Sequence, residues 1–195
     1  MSEPETLWTV GHSTRSIEQF IELLRHYDIS AVADVRRFPG SRRLPHFGED
    51  ALRRSLTEQG IEYRFIPQLG GRRRPIAGSA NTSWRNASFQ GYADHMQSEE
   101  FADGLAQLLQ LGAEHRTTMM CAEVLWWRCH RSLVSDVVKL RGIEVLHIQD
   151  EKHVCEHPFT APARLLDGQL SYRPDKGEPL NAKQRSFGVQ ITLDL

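Results

Sequence analysis

Thr117-Thr-Met-Met-Cys-Ala122, Arg131-Ser-Leu-Val-Ser-Asp-Val-Val-Lys-Leu-Arg141, Gly142 and Ile143-Glu-Val-Leu-His-Ile148 follow one another in the second half of the chain. The outer segments are short apolar runs that read as strands. The middle one reads as a helix stopped by Gly142. Strand, helix and strand at this spacing make the crossover of a parallel sheet.

The alternation continues upstream. Leu7-Trp-Thr-Val10 ends at Gly11 and reads as a buried strand. Ser16 is a helix N-cap with Gln19 three residues on, and Ile17, Phe20, Ile21 and Leu24 share the face that follows. Ala31-Val-Ala-Asp-Val35 is a second strand, broken by Phe38-Pro-Gly40. A helix over 49–59 turns Leu52 and Leu56 inward and stops at Gly60, and a third strand over 61–66 ends at Pro67 and Leu69-Gly-Gly71. Residues 72–87 predict a long loop, of the kind compact domains keep for lids and binding. Helical patterning returns over 89–96 and again from Ser98, with Phe101, Leu105, Leu108 and Leu109 on one face. Past Asp150, the Asp167-Gly168 pair between apolar flanks signals a hairpin. The expected fold is a single α/β domain over 7–150, a mostly parallel sheet of about five strands flanked by helices. Residues 151–195 are expected to form a C-terminal appendage of hairpin and tail.

The 195 residues suit one domain with a sizeable core, and 39% hydrophobic with 25% charged residues is ordinary for a soluble protein. No window approaches the roughly 18 consecutive apolar residues of a membrane span. Met1-Ser-Glu-Pro-Glu-Thr6 has neither the basic nor the apolar region of a signal peptide. Membrane, collagenous and wholly disordered classes are excluded. Cys121, Cys129 and Cys155 are an odd number in a chain too long to need staples, which points to free thiols in a reducing cytoplasm. From Arg36 to Arg74 there are ten arginines against four acids, on a chain whose net charge is −1. Such a segment can present a local face that attracts anions.

Parallel sheets bind ligands outside the carboxyl ends of their strands. Those ends deliver His12 and Ser13; Asp34 and Arg36; Gly70 and Gly71; and Cys121 and Glu123. Cys129, His130 and Arg131 open the next helix. A helix N-terminus with arginine and histidine neighbours favours thiolate, and a thiolate beside a histidine is the minimum for nucleophilic catalysis. Cys121, between Met120 and Ala122, reads equally well as a small buried hydrophobe. The cysteine spacing is not that of a Cys-x-x-Cys redox pair, and Cys121 to Arg128 does not fit a Cys-x5-Arg phosphatase loop. Arg36, Arg42 and Arg131, with Ser13 and the Gly70–Gly71 backbone, are expected to enclose a phosphate or carboxylate. The packing alternative pairs these arginines with Asp34 and Glu123 at the sheet edge.

Gly11-His-Ser13, Asp34-Val-Arg36, Pro39-Gly-Ser-Arg42, Leu69-Gly-Gly71, Cys121-Ala-Glu123 and Cys129-His-Arg131 together resemble the bacterial family catalogued as domain of unknown function 488. The motifs stand in the family's order and cover about residues 8–150. The typical pattern has a proline between the glutamate and the second cysteine, where this chain has Val124-Leu-Trp-Trp-Arg128. The resemblance implies an α/β domain and brings no activity with it.

The leading expectation is a cytoplasmic enzyme, a hydrolase or transferase, acting on an anionic substrate that carries phosphate, nucleotides included. Arg36 and Arg131 hold the anion; His12, Asp34 or Glu123 move protons; Cys121 or Cys129, with His130, supplies the nucleophile. No cofactor is specified. A second reading is a noncatalytic domain that binds nucleotide or nucleic acid through the arginine segment and Trp84, Trp126 and Trp127. A third is a metal protein using Cys121, Cys129 and His130 with His153, Cys155 and His157, three residues that alternate on the tail.

Overall fold

Leu7, Trp8, Thr9 and Val10 are all buried, so the first strand, β1 (Thr6–Gly11), is covered on both faces, as a central strand of a parallel sheet must be. The computed structural model describes residues 3–40, 43–174 and 178–180. It sets β1 between β4 (Thr117–Cys121) and β5 (Glu144–Ile148), in a six-stranded sheet of order β3-β2-β4-β1-β5-β6. β2 (Ala31–Asp34) and β3 (Glu62–Phe65) complete the parallel part. β6 (Val154–Glu156) adds to β5 antiparallel. The α/β sheet expected from the sequence is present with one strand more than five. Val154-Cys-Glu156 is too short and too polar to announce itself as a strand.

Among the described residues five α-helices flank the sheet: α1 (Ile17–His26), α2 (Glu49–Thr57), α3 (Ala87–His95), α4 (Glu99–Glu114) and α5 (Arg131–Leu140). The Ser16–Gln19 box forms, the Gln19 N–H donating to Ser16 Oγ at 3.2 Å and the Ser16 N–H to Gln19 Oε1 at 2.9 Å. Phe20, Leu24, Leu52 and Leu56 from α1 and α2 pack with Trp8, Val10 and Val32 on one face. Leu105 and Leu108 from α4, with Leu133 and Val134 from α5, pack with Leu7, Ala33 and Val145 on the other. β2 and β4 are neighbours, yet the helix following β2 and the helix following β4 lie on opposite faces. That divergence opens a crevice at their carboxyl ends.

Beyond β6, β7 (Arg164–Leu166) and β8 (Gln169–Ser171) form the expected hairpin, turning through Asp167 and Gly168 at φ 51° and 78°. β9 (Glu178–Pro179) pairs with β7 on the other side. Ala163, Tyr172 and Leu180 enter the same apolar cluster as α4 and α5, so this segment shares the main core. Among the described residues no helix is long and apolar enough to cross a membrane.

Candidate active site

A cavity of about 390 Å³ fills the crevice. Its walls come from the chain after β2 (Arg36 to Phe38), after β3 (Gly71, Arg72), at the start of α3 (Asn86, Ser88, Phe89) and after β4 (Cys121 to Glu123, Arg128 to His130). Arg37, Arg72 and Arg128 reach it with no hydrogen bond from their guanidinium groups to protein among the described residues. Arg72 sits at φ 60°, a conformation a side chain rarely adopts. Left-handed backbone of this kind collects at ligand-binding turns.

Cys129 lines this cavity although it is only 5% exposed. Its Sγ receives the Arg131 Nε–H at 3.3 Å and faces His130 Nδ1 at 3.6 Å. The Cys121 sulfur lies within 4.8 Å of this one. Burial pushes the Cys129 thiol up, but the adjacent Cys121 thiol and the neighbouring His130 and Arg131 outweigh it and hold the group well below the ordinary thiol range. Cys121 moves the opposite way, raised well above that range by the adjacent Cys129 sulfur and by burial.

His130 is held from behind. A carbonyl oxygen only accepts, so the 2.9 Å contact from Nε2 to Val35 O places a proton on Nε2 and turns Nδ1 toward the sulfur, to which it donates when the ring carries both protons. A Cβ on Gly71 would lie 2.6 Å from His130 Nδ1, so the glycine there makes room for this ring. Gly70 packs on the Arg37 backbone, where a Cβ would come within 2.7 Å of Cα.

The other residues expected at the site divide by depth. Glu123 is exposed on the cavity wall and accepts the Leu125 N–H at 3.0 Å. Arg36 touches the wall, but its donors are taken by Asp34 (Nε at 2.8 Å, Nη2 at 2.5 Å) and by the Phe47 carbonyl at 2.8 Å. Asp34 is fully buried and also accepts the Tyr63 hydroxyl at 2.7 Å. His12 lies behind Arg36, stacked on Phe47 at 3.9 Å between centroids. Burial, and then Arg36, lower its pKa from 6.5 to about 4. Arg131 is fully buried and does not line the cavity; it serves Cys129 Sγ and donates to the Glu123 carbonyl. Ser13 lies off the wall with its backbone at φ 52°. Arg42 is outside the described residues.

Cys121, Cys129 and His130 place their ligand atoms within 4.8 Å of one another, three donors of the kind a catalytic zinc uses. The tail residues expected to join them do not. Cys155 is near Gln149, His153 bonds Asp150, and His157 is fully buried against Asp136. They follow β6 to the other side of β5, away from β4. The Arg131 guanidinium on the same sulfur opposes a dication there.

Several lining residues were not singled out from sequence. Arg72 stands inside the run Arg72-Arg-Arg74 and the start of α3 has no motif, while Arg128 counted only among the arginine neighbours of the Cys129 helix start. Their signal is positional, since each flanks a strand end or a glycine turn. No curated protein and no solved structure matches the chain. A family model described as Domain of unknown function DUF488 matches residues 16–138, a span that holds every residue lining the cavity, and the chain belongs to that family.

Proposed function

We propose that the protein is an enzyme that binds an anionic, phosphate-bearing substrate in the arginine-lined cavity and attacks it with the Cys129 sulfur. The observation that carries this reading is one sulfur, Cys129 Sγ, set between Arg131 Nε and His130 Nδ1 on the wall of a cavity that also presents Arg37, Arg72 and Arg128. A thiolate is the nucleophilic form of cysteine, and unpaired guanidinium groups are the donors that phosphate oxygens fit best. In the first step a Cys129 lone pair forms a bond to the electrophilic centre. The bond to the leaving group breaks and its electron pair departs with that group, into the field of the arginines. Water then displaces the sulfur, its hydroxyl staying on the released product and its proton passing to Glu123, the acidic side chain of the wall. The thiolate is thereby regenerated. Transfer to another acceptor in place of water makes the same chemistry a transferase.

Phe38, 65% exposed, and Phe89 give the cavity an apolar side beside its arginines, which suits a nucleotide. Free thiols of this kind fit a reducing compartment such as the cytoplasm. The test is a thermal-shift and intact-mass screen with inorganic phosphate, sugar phosphates and nucleotides. A stabilising ligand whose effect falls about tenfold in Arg72→Ala or Arg128→Ala supports the cavity. A mass adduct lost in Cys129→Ser supports covalent attack. Stabilisation without any adduct favours a noncatalytic nucleotide-binding domain. Stabilisation that both arginine variants retain removes the cavity from the account.

A further inference from the structure

Behind Arg131 runs a line of buried polar groups that the proposed chemistry does not use. Arg131 Nη1 donates to Thr9 Oγ1 at 3.4 Å, and Thr9 Oγ1 lies 2.7 Å from His147 Nδ1. His147 Nε2 is 2.9 Å from His157 Nδ1, and His157 Nε2 is 3.0 Å from Asp136 Oδ1. Asp136 also accepts the Thr160 N–H at 2.8 Å, and the Thr160 and Tyr172 hydroxyls at 2.5 and 2.8 Å. The strand register builds the middle of this line, because Thr9 of β1 and His147 of β5 are direct neighbours. Trp126 closes it from outside, stacked on His147 at 4.2 Å and 5°.

One placement of protons satisfies every atom of the line. Asp136 as a carboxylate only accepts, so His157 carries its proton on Nε2. His157 Nδ1 then accepts from His147 Nε2–H, and His147 Nδ1 accepts the Thr9 hydroxyl proton. Thr9 Oγ1 is left with a lone pair for Arg131. Running the line the other way makes His157 a cation and leaves the Thr9 hydroxyl proton without an acceptor. His147 is neutral in either direction, in keeping with a pKa that burial, the largest cause, helps to lower to about 2.

We propose that Asp136, His157, His147 and Thr9 are positioning residues that hold the Arg131 guanidinium against Cys129, so that the C-terminal segment helps to set the reactivity of the thiol. The inference rests on the reading of Cys129 as the nucleophile. Three of the contributing residues, His157, Thr160 and Tyr172, come from beyond β5, which gives that segment a part in the site that no lining residue reveals. The other groups near the Cys129 sulfur are the Cys121 thiol from β4 and His130, with Glu123 and Arg128 on the cavity wall; Tyr92 from α3 packs on the His130 ring and gives its hydroxyl to Leu69 O. None of these touches Thr9 or His147, so a change at Thr9 isolates the line.

The experiment measures the alkylation rate of Cys129 against pH in the full chain, in Thr9→Val and in Thr9→Ser. Valine keeps the shape and removes the hydroxyl. It is expected to move the midpoint up by about half to one pH unit, the size of one typical lost hydrogen bond. Serine restores the hydroxyl and is expected to keep the wild-type midpoint. A Thr9→Val midpoint equal to wild type overturns the proposal. If the valine variant fails to fold, the wild-type imidazole nitrogens decide by NMR: His147 must be neutral with its proton on Nε2. A proton on Nδ1, or titration near 6.5, overturns the proposal. An ordinary thiol midpoint in wild type defeats the nucleophile reading instead, while the His147 tautomer still reports on the line itself.

Discussion

Arg36 and Arg72 are both cationic and both touch the cavity, yet their environments give them different work. Arg36 is 7% exposed and ion-paired to a fully buried Asp34 at 2.5 Å. Truncating it leaves a buried carboxylate unpaired, which costs about 3–5 kcal/mol. Arg36→Ala is therefore expected to lower the denaturant midpoint sharply, whereas Arg72→Ala, exposed and unpaired, leaves it within about 0.5 kcal/mol of wild type. Equal stability of the two variants in urea titration would contradict that division. His12 adds a pH signature. Its folded pKa of about 4 lies below the usual 6.5, so the unfolded chain takes up the proton first. The stability it lends is complete above 6.5 and is lost as pH falls toward 4, at about 1.4 kcal/mol per unit. Melting temperature is expected to drop across that window, and His12→Gln to flatten the drop. At this scale the sequence made Cys129, His130 and Arg131 legible, because helix start, charge and thiol stand side by side. It could not tell that Arg131 turns inward, since that depends on Thr9 of β1 and on Glu123 in the turn after β4.

Among the elements, β1 and the turn after β4 are joined through a glycine. A Cβ on Gly11 would lie 2.0 Å from the Glu123 carbonyl oxygen and 2.6 Å from Val124 Cα, both backbone atoms that cannot swing aside. Gly11→Ala is expected to cost about 3 kcal/mol or more and to displace the carbonyl that Arg131 holds. Calorimetry reads the cost, and a melting temperature unchanged from wild type would contradict the packing described. The helices and parallel strands were legible from periodicity, and α1 from its capping box. The loop over 72–87 was legible as a loop but not as a wall. It is tied down by Ser79 and Asn81 on Asp94 at 2.6 and 2.8 Å, contacts between elements that no local pattern encodes. The alternating His153-Val-Cys-Glu-His157 run suggested a metal segment. Its period is that of strand β6, and the buried partner it delivers is His157 for Asp136.

Over the whole molecule the charge is nearly balanced, with 24 basic and 25 acidic residues, so any attraction for anions is local to the crevice. Binding of phosphate there is expected to weaken as salt is raised from 50 to 500 mM, by about tenfold through screening. A flat response in isothermal titration would contradict an electrostatic site. The crevice itself follows from topology: neighbouring strands sending their helices to opposite faces is a property of strand order, which a sequence read along its length does not display. The most direct measurement is the rate of Cys129 alkylation by iodoacetamide against pH, with and without saturating phosphate. The account predicts full reactivity at pH 7, a midpoint well below the ordinary thiol range, and protection by phosphate that Arg72→Ala abolishes. A Cys129 that reacts only as the pH climbs through the usual thiol range, indifferent to phosphate, would contradict it.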